Sequence, residues 1–208
     1  MFLGGSTGVG KKIAFELIKR GCSISVAARE PKKLEQAREE LDSFAKSVCR
    51  NAKVHGFVLD GTHSYESTEA VVKEAIRHGG DIDILINHAG TSVEGEFDKL
   101  TLDQFESQMM INYFSTVYLT KAVLGRMKER GSGHIGFVAS IGSQIPLWGY
   151  TAYCASKWAL RGFAESLLVE LLPYNIGVSI TYPPATINEG YKVNLCYLNA
   201  HLTSCTKT

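Results

Sequence analysis

The chain has 208 residues, 45% hydrophobic and 21% charged, with a net charge of +1. That suits one globular domain with a sizeable core and gives no argument for nucleic acid or an anionic surface as a partner. Five cysteines without a CxxC pair argue against a disulfide framework or a zinc knuckle and fit a reducing compartment, and six histidines without HExxH spacing predict no metal site.

Met1-Phe2-Leu3 leaves about three residues of strand before Gly4-Gly5-Ser6-Thr7-Gly8-Val9-Gly10. A glycine-rich turn of this kind normally follows a complete strand, so the chain is expected to lack its natural N-terminus. No signal-peptide pattern stands there, and no apolar run in the chain reaches the 18 residues of a membrane span. Glycines at 4, 5, 8 and 10 permit φ > 0 and close approach of a ligand. Lys11 to Arg20 places Ile13, Ala14, Leu17 and Ile18 at helical spacing. The loop therefore opens a helix, whose N–H groups and dipole suit a phosphate; a plain glycine turn is the alternative.

Ser23 to Ala28 reads as a buried strand ending at Arg29. Pro31 to Lys46 is an amphipathic helix with Leu34, Ala37, Leu41 and Phe44 inward. Val54 to Leu59 is a strand followed by Asp60, and Ser64 to His78 is a helix. Asp83 to Asn87 is a continuous apolar strand, as expected when both sheet faces are covered, and it runs into His88-Ala89-Gly90. His88 reads as a local structural residue. Leu102 to Arg130 reads as one long helical stretch with a polar Asn112 inside it, which needs a partner. Gly133 to Ala139 is a strand ending at Ser140, Thr151 to Leu172 a helix, and Gly177 to Tyr182 a strand before Pro183-Pro184.

Strands and helices alternate throughout, which predicts an α/β fold: a single-domain, three-layer α/β/α doubly wound parallel sheet of the Rossmann type. Gly4 to Gly10, Arg29, Asp60, Asn87 to Gly90, Ser140 and Pro183 all fall at carboxyl ends of strands, where such sheets bind ligands. In a dinucleotide fold the position of Arg29 faces the adenosine ribose. An acidic residue there suits NAD; Arg29, with Lys33 one turn on, suits the 2′-phosphate of NADPH, unless both are merely solvated charges. Tyr153 and Lys157 are four apart and share a helix face. An ammonium beside a phenol favours phenolate, so the Tyr153 pKa is expected to fall and the group to exchange protons near neutral pH. Chance spacing is the alternative, and the surrounding pattern argues against it. Ile145, Leu147 and Trp148 form an apolar loop that suits a lipid, a steroid, core packing or a dimer contact.

From Gly4 to Pro184 these motifs (GGSTGVG, NHAG, an internal Asn, and Ser-x12-Tyr-x3-Lys) resemble the short-chain dehydrogenase/reductase superfamily. The resemblance implies a catalytic tetrad of Asn112, Ser140, Tyr153 and Lys157. It implies that Gly4, Ser6, Thr7, Gly8, Val9 and Gly10 hold pyrophosphate and ribose, and that Asp60 contacts adenine. Asn87, Ala89 and Gly90 would line the cofactor floor, with Pro183 beside them. Tyr153 would protonate the developing alkoxide, Ser140 would hold the carbonyl oxygen, Lys157 would lower the Tyr153 pKa and hold the nicotinamide ribose, and Asn112 would hold a relay water. Within the superfamily, "TAYCASKWALRGFAESL", "ELLPYN" and "TYPP" look most like the 3-ketodihydrosphingosine (3-dehydrosphinganine) reductases. That implies NADPH-dependent reduction of 3-ketosphinganine, a lipid-like ketone, at the cytosolic face of the endoplasmic reticulum membrane. Hydroxysteroid or retinoid dehydrogenases share much of this vocabulary, and a truncated, inactive relative that binds only nucleotide or a partner is a further alternative.

The departures are Leu3 for Thr, His88 for a second Asn, and Ala185-Thr-Ile-Asn for the family's Asp-Thr-Asp-Thr. The domain is expected to span 1–190. Residues 191–208 match nothing in the pattern, which suggests an incomplete gene model or a splice product lacking the family's substrate loop, last strand and terminal hydrophobic segments. Superfamily members commonly pair into homodimers through the helices bearing Asn112 and Tyr153.

Overall fold

Phe2 and Leu3 form the innermost strand of a six-stranded sheet, although β1 is only these two residues long. The computed structural model describes residues 1–59 and 64–184. The other strands are β2 (Ile24–Ala28), β3 (Val54–Val58), β4 (Ile84–Asn87), β5 (Gly133–Val138) and β6 (Ile176–Thr181). Their order is β3-β2-β1-β4-β5-β6, and every pairing is parallel. The chain winds outward from β1 to β3, returns to β4, and winds the other way. The order reverses between β1 and β4, and a crevice opens at that switch point beyond the carboxyl ends of the strands. This is the doubly wound Rossmann sheet that the alternation predicts.

Parallel neighbours need crossovers, and the helices supply them. They are α1 (Gly8–Lys19), α2 (Pro31–Val48), α3 (Tyr65–Gly79), α4 (Leu102–Met109), α5 (Ser115–Arg130) and α6 (Thr151–Leu171). Strand side chains alternate between the sheet's faces. Phe2 and Val26 accordingly join a core with Ala14 and Ile18 of α1 and Leu34 and Leu41 of α2. Leu3 and Ala27 join the opposite core, with Leu119 and Met127 of α5 and Leu160 and Leu171 of α6. Phe2 and Leu3 are almost fully buried, and each such side chain is worth roughly 1.5–3 kcal/mol of transfer free energy. Backbone bonds extend the short strand at both ends: the Ile86 N–H donates to the Met1 carbonyl at 2.8 Å, and the Gly4 N–H to the Ala27 carbonyl at 2.9 Å.

Two boundaries differ from the sequence expectation in ways that matter for the site. First, α1 starts at Gly8, so Gly8, Val9 and Gly10 are the helix's first turn and only Gly4 to Thr7 form the loop. Gly8 has φ +54°, a left-handed value that glycine adopts without strain. Second, the long helical stretch expected over 102–130 is present without a break but is not uniformly α-helical. A capping box at Thr101 and Gln104 opens α4, a widened π turn spans Met110–Phe114, and α5 runs on to Gly131 in the left-handed conformation (φ 63°). Asn112 lies inside that widened turn. No helix among the described residues is long and apolar enough to cross a membrane.

Candidate active site

The glycine loop is held by contacts that admit no side chain. Gly4 has φ +81°, and a Cβ built on it would stand 2.7 Å from Ala89 Cα. A Cβ on Gly10 would stand 2.7 Å from the Gly4 carbonyl oxygen and 2.8 Å from His88 Nδ1. His88 Nδ1 lies 3.1 Å from that same carbonyl. A carbonyl only accepts, so Nδ1 carries the hydrogen. Burial holds the His88 pKa below the usual imidazole range, partly opposed by the Gly4 bond. His88 is therefore a neutral brace for the loop, the structural role the sequence suggests. Gly4→Ala is expected to cost about 2–5 kcal/mol, combining left-handed strain with a clash against backbone. Gly8→Ala, which meets nothing within 4 Å despite its φ of +54°, should cost about 1–2 kcal/mol. Urea midpoints of the two variants, at unchanged m-value, check this ranking.

Above the loop lies a cleft of about 200 Å³. It brings together Gly4, Ser6, Thr7, Arg29, Lys33, Ala89 and Gly90, all expected from the sequence. Sequence reasoning missed Glu30, Leu59, Thr91, Ile111 and Ser115 on its walls. Glu30 was the readable one, since it stands three residues before Lys33. Their side chains pair at 3.0 Å, which leaves exposed Arg29 as the principal cation at that end. Three groups of expected residues lie elsewhere. Gly8, Val9 and Gly10 sit in the first turn of α1. Asn87 is buried beneath the cleft, where its Nδ2 donates to Thr120 Oγ1 at 3.3 Å and its Oδ1 has no hydrogen-bond partner. The Pro183 carbonyl accepts from the Ile141 N–H at 3.3 Å, joining the chain after β6 to the chain after β5. Asp60 lies outside the described residues, as does the expected tail 191–208.

Asn112 is fully buried and clamps the cleft's inner wall. Its Oδ1 accepts from the Thr91 N–H at 2.8 Å, and its Nδ2 donates to the Thr91 carbonyl at 2.9 Å. Nδ2 also reaches Ser156 Oγ on α6 at 2.9 Å. One side chain thus ties the π turn, the loop after β4 and α6 together. A Cβ on Gly90 would meet Asn112 Oδ1 and Lys157 Nζ, both at 3.2 Å. Gly90 is the point where those two polar groups converge.

Ser140, Tyr153 and Lys157 complete the arrangement. Ser140 caps a single 3₁₀ turn (Ile141–Ser143), its Oγ accepting from the Gly142 N–H at 3.2 Å, and its hydroxyl lies near enough to the Tyr153 phenol to draw that group's pKa down. Lys157, 4% exposed, donates to the Val138 carbonyl at 3.2 Å from one turn along α6. Its Nζ lies 6.0 Å from the Tyr153 ring centroid. Burial pushes the Lys157 pKa down to about 8. The expectation that the Tyr153 pKa falls is corrected: it is raised. Desolvation of the phenolate dominates, the nearby Ser140 hydroxyl pulls the other way, and neighbouring Cys154 pushes it further up. The lysine does not reverse this, because its ammonium is bonded to a backbone carbonyl instead of the phenol and is itself disfavoured by burial. A protonated phenol and a serine hydroxyl therefore meet at one point, with a buried amine behind them.

The sequence pattern of short chain dehydrogenases matches residues 1–192. The chain belongs to that family. Two curated relatives are the 3-dehydrosphinganine reductase of Danio rerio, 45% identical over 188 residues, and the 3-ketodihydrosphingosine reductase of Bos taurus, 43% identical over 188 residues. Each alignment covers 90% of this chain and 56% of the relative, so the chain spans a little over half the length of the proteins it matches. Among solved structures, the L-sorbose reductase of Gluconobacter frateurii, complexed with NADPH and L-sorbose, superposes with a TM-score of 0.83 at 28% identity, covering 91% of this chain and 70% of its own. The resemblance drawn from GGSTGVG, NHAG and Ser-x12-Tyr-x3-Lys is thus a family membership. In this short-chain dehydrogenase the loop after Ser140 is exposed: Ile145 and Trp148 are 48% and 54% accessible, so neither is core packing.

Proposed function

We propose that this chain carries the cofactor-binding and catalytic part of an NADPH-dependent ketone reductase that converts 3-ketosphinganine to sphinganine. The observation that carries the reading is the Ser140 hydroxyl beside the Tyr153 phenol with buried Lys157 behind them, in a chain 43–45% identical to reductases named for that substrate. The cleft fits a dinucleotide by its own chemistry. Gly4 and Ala89 line it too closely for a side chain at Gly4, Thr7 begins α1 without a side-chain cap bond to the free N–H groups, and Arg29 stands at the far end. When bound, NADPH supplies the hydride. Ser140 holds the carbonyl oxygen, where negative charge develops. Tyr153 delivers its proton to that oxygen, and its raised pKa keeps the proton in place at neutral pH. Lys157 supports proton supply from behind, and Asn112 keeps the Thr91 backbone and α6 in register.

The test is NADPH oxidation by the purified chain with 3-ketosphinganine and, in parallel, with a steroid ketone. Turnover of the first and not the second supports the reading, while the reverse favours a hydroxysteroid dehydrogenase. No turnover of either, with no NADPH-dependent rise in melting temperature, supports an inactive relative. Arg29→Asp should lower kcat/KM for NADPH on the order of 10–100-fold, the worth of a charged hydrogen bond, and lower it less for NADH. Equal loss with both cofactors would show that Arg29 does not read the 2′-phosphate. The proposed place of action is the cytosolic face of the endoplasmic reticulum membrane. Leu168, Val169 and Leu172 on and beside α6 are exposed and suit pairing with a second copy.

A further inference from the structure

The loop after β4 carries a carboxylate that the cofactor cleft does not use. The loop leaves the cleft at Gly90 and Thr91, passes the Asn112 clamp, and reaches Glu94. There it is zipped to the loop before α6, with the Gly95 N–H donating to the Gly149 carbonyl at 2.9 Å. Glu94 Oε2 accepts from the Tyr150 hydroxyl at 3.0 Å. The Tyr150 ring in turn packs against the Tyr153 ring, centroids 6.0 Å apart and nearly edge to face. The other carboxylate oxygen, Oε1, is buried and has no hydrogen-bond partner. A buried carboxylate oxygen without a donor is costly and calls for a reason. Its lone pairs can be met only by an N–H or O–H group, and a cation is met best.

Resting on the 3-ketosphinganine reading, the substrate carries such a group in a defined place: an ammonium on the carbon next to the ketone. With the ketone oxygen on Ser140 and Tyr153, that ammonium lies on the carbon adjoining the reacting one. We propose that Glu94, held by Tyr150, is the specificity residue that binds the substrate's ammonium and selects 2-amino ketones over plain ketones. The bond to Tyr150 occupies Oε2 and leaves Oε1 as the unsatisfied acceptor, and the tyrosine pair links it mechanically to the proton donor.

The experiment compares Glu94→Gln with the unaltered chain on two substrates, 3-ketosphinganine and its deaminated counterpart 1-hydroxyoctadecan-3-one, each with NADPH. Glutamine keeps the shape and an acceptor for Tyr150 but removes the charge. The expected result is a fall in kcat/KM on the amino ketone that exceeds the fall on the deaminated ketone by tenfold or more. The ratio of the two is taken within one preparation, so a reduced folded fraction cancels. Equal losses on both substrates would make Glu94 a loop clamp only and overturn the proposal, as would no loss on either. If the unaltered chain reduces the deaminated ketone as well as the amino ketone, ammonium recognition is absent and the proposal falls while the reductase reading stands. If it reduces neither, the reductase reading fails and takes this proposal with it.

Discussion

Tyr153→Phe is expected to reduce NADPH-dependent ketone reduction on the order of 10²–10⁴-fold, the usual scale for losing a general acid, while leaving the fold in place. The ring, not the hydroxyl, makes the packing contacts: it lies against Tyr150, and its Cε1 stands 3.3 Å from where a Cβ of Gly142 would be. Phenylalanine retains both. What disappears is the hydroxyl's polar approach to Ser140, worth at most about 1 kcal/mol. The Ser140 hydroxyl keeps the Gly142 N–H as a partner. The melting temperature should therefore move by only a few degrees while kcat collapses. The raised pKa adds a directional point. A phenol that burial keeps protonated is loaded for reduction, whereas oxidation of an alcohol would need the phenolate and hence an alkaline solution. Full ketone reductase activity in the Tyr153→Phe variant would refute the assignment of the proton donor.

The Rossmann winding and the Ser140/Tyr153/Lys157 group were legible because each rests on a local period. Apolar runs of strand length alternate with 3.6-residue patterns, and a spacing of four puts two side chains on one helix face whatever surrounds them. The π turn at Met110–Phe114 was not legible. Inserting one wider turn leaves a mostly apolar stretch still mostly apolar, and only the destination of Asn112's hydrogen bonds reveals it. The sign of the Tyr153 shift was also beyond the sequence. A neighbouring lysine at i+4 says nothing about how much solvent three layers of structure remove from the phenol, or that Lys157 will bond the Val138 carbonyl instead. Glu94 had no pattern at all, since its partner Tyr150 is 56 residues away and the two meet only because the loops after β4 and β5 adjoin. The Glu30–Lys33 pair, by contrast, was in plain view at i,i+3 and tempers the reading of Lys33 as a phosphate ligand.

Lys157→Met should separate catalysis from stability more sharply than any other change. The ammonium is nearly fully buried, and its pKa of about 8 in the fold compares with 10.5 for an unrestrained lysine. That difference corresponds to about 3 kcal/mol by which the fold disfavours the charged form. Above pH 10.5 the amine is neutral in both states and the penalty is absent. As pH falls from 10.5 to 8, the unfolded chain takes up the proton first, so unfolding free energy drops; below pH 8 the penalty is complete. Methionine fills the same stem without the charge, at the cost of leaving the Val138 carbonyl without that donor, about 1–3 kcal/mol. The two effects nearly offset, so the variant at pH 7 should be as stable as the unaltered chain or up to about 2 kcal/mol more so. Its ketone reduction should nevertheless fall by at least on the order of 10²-fold, because no amine stands behind Tyr153 to sustain proton transfer. The decisive reading is the difference in unfolding free energy between the two proteins across pH 8 to 10.5. It should shift in favour of the unaltered chain as pH rises, since other titrating groups are common to both proteins and cancel. A difference that stays flat through that window would mean that Lys157 is hydrated in solution, and the buried amine behind the phenol would have to be given up.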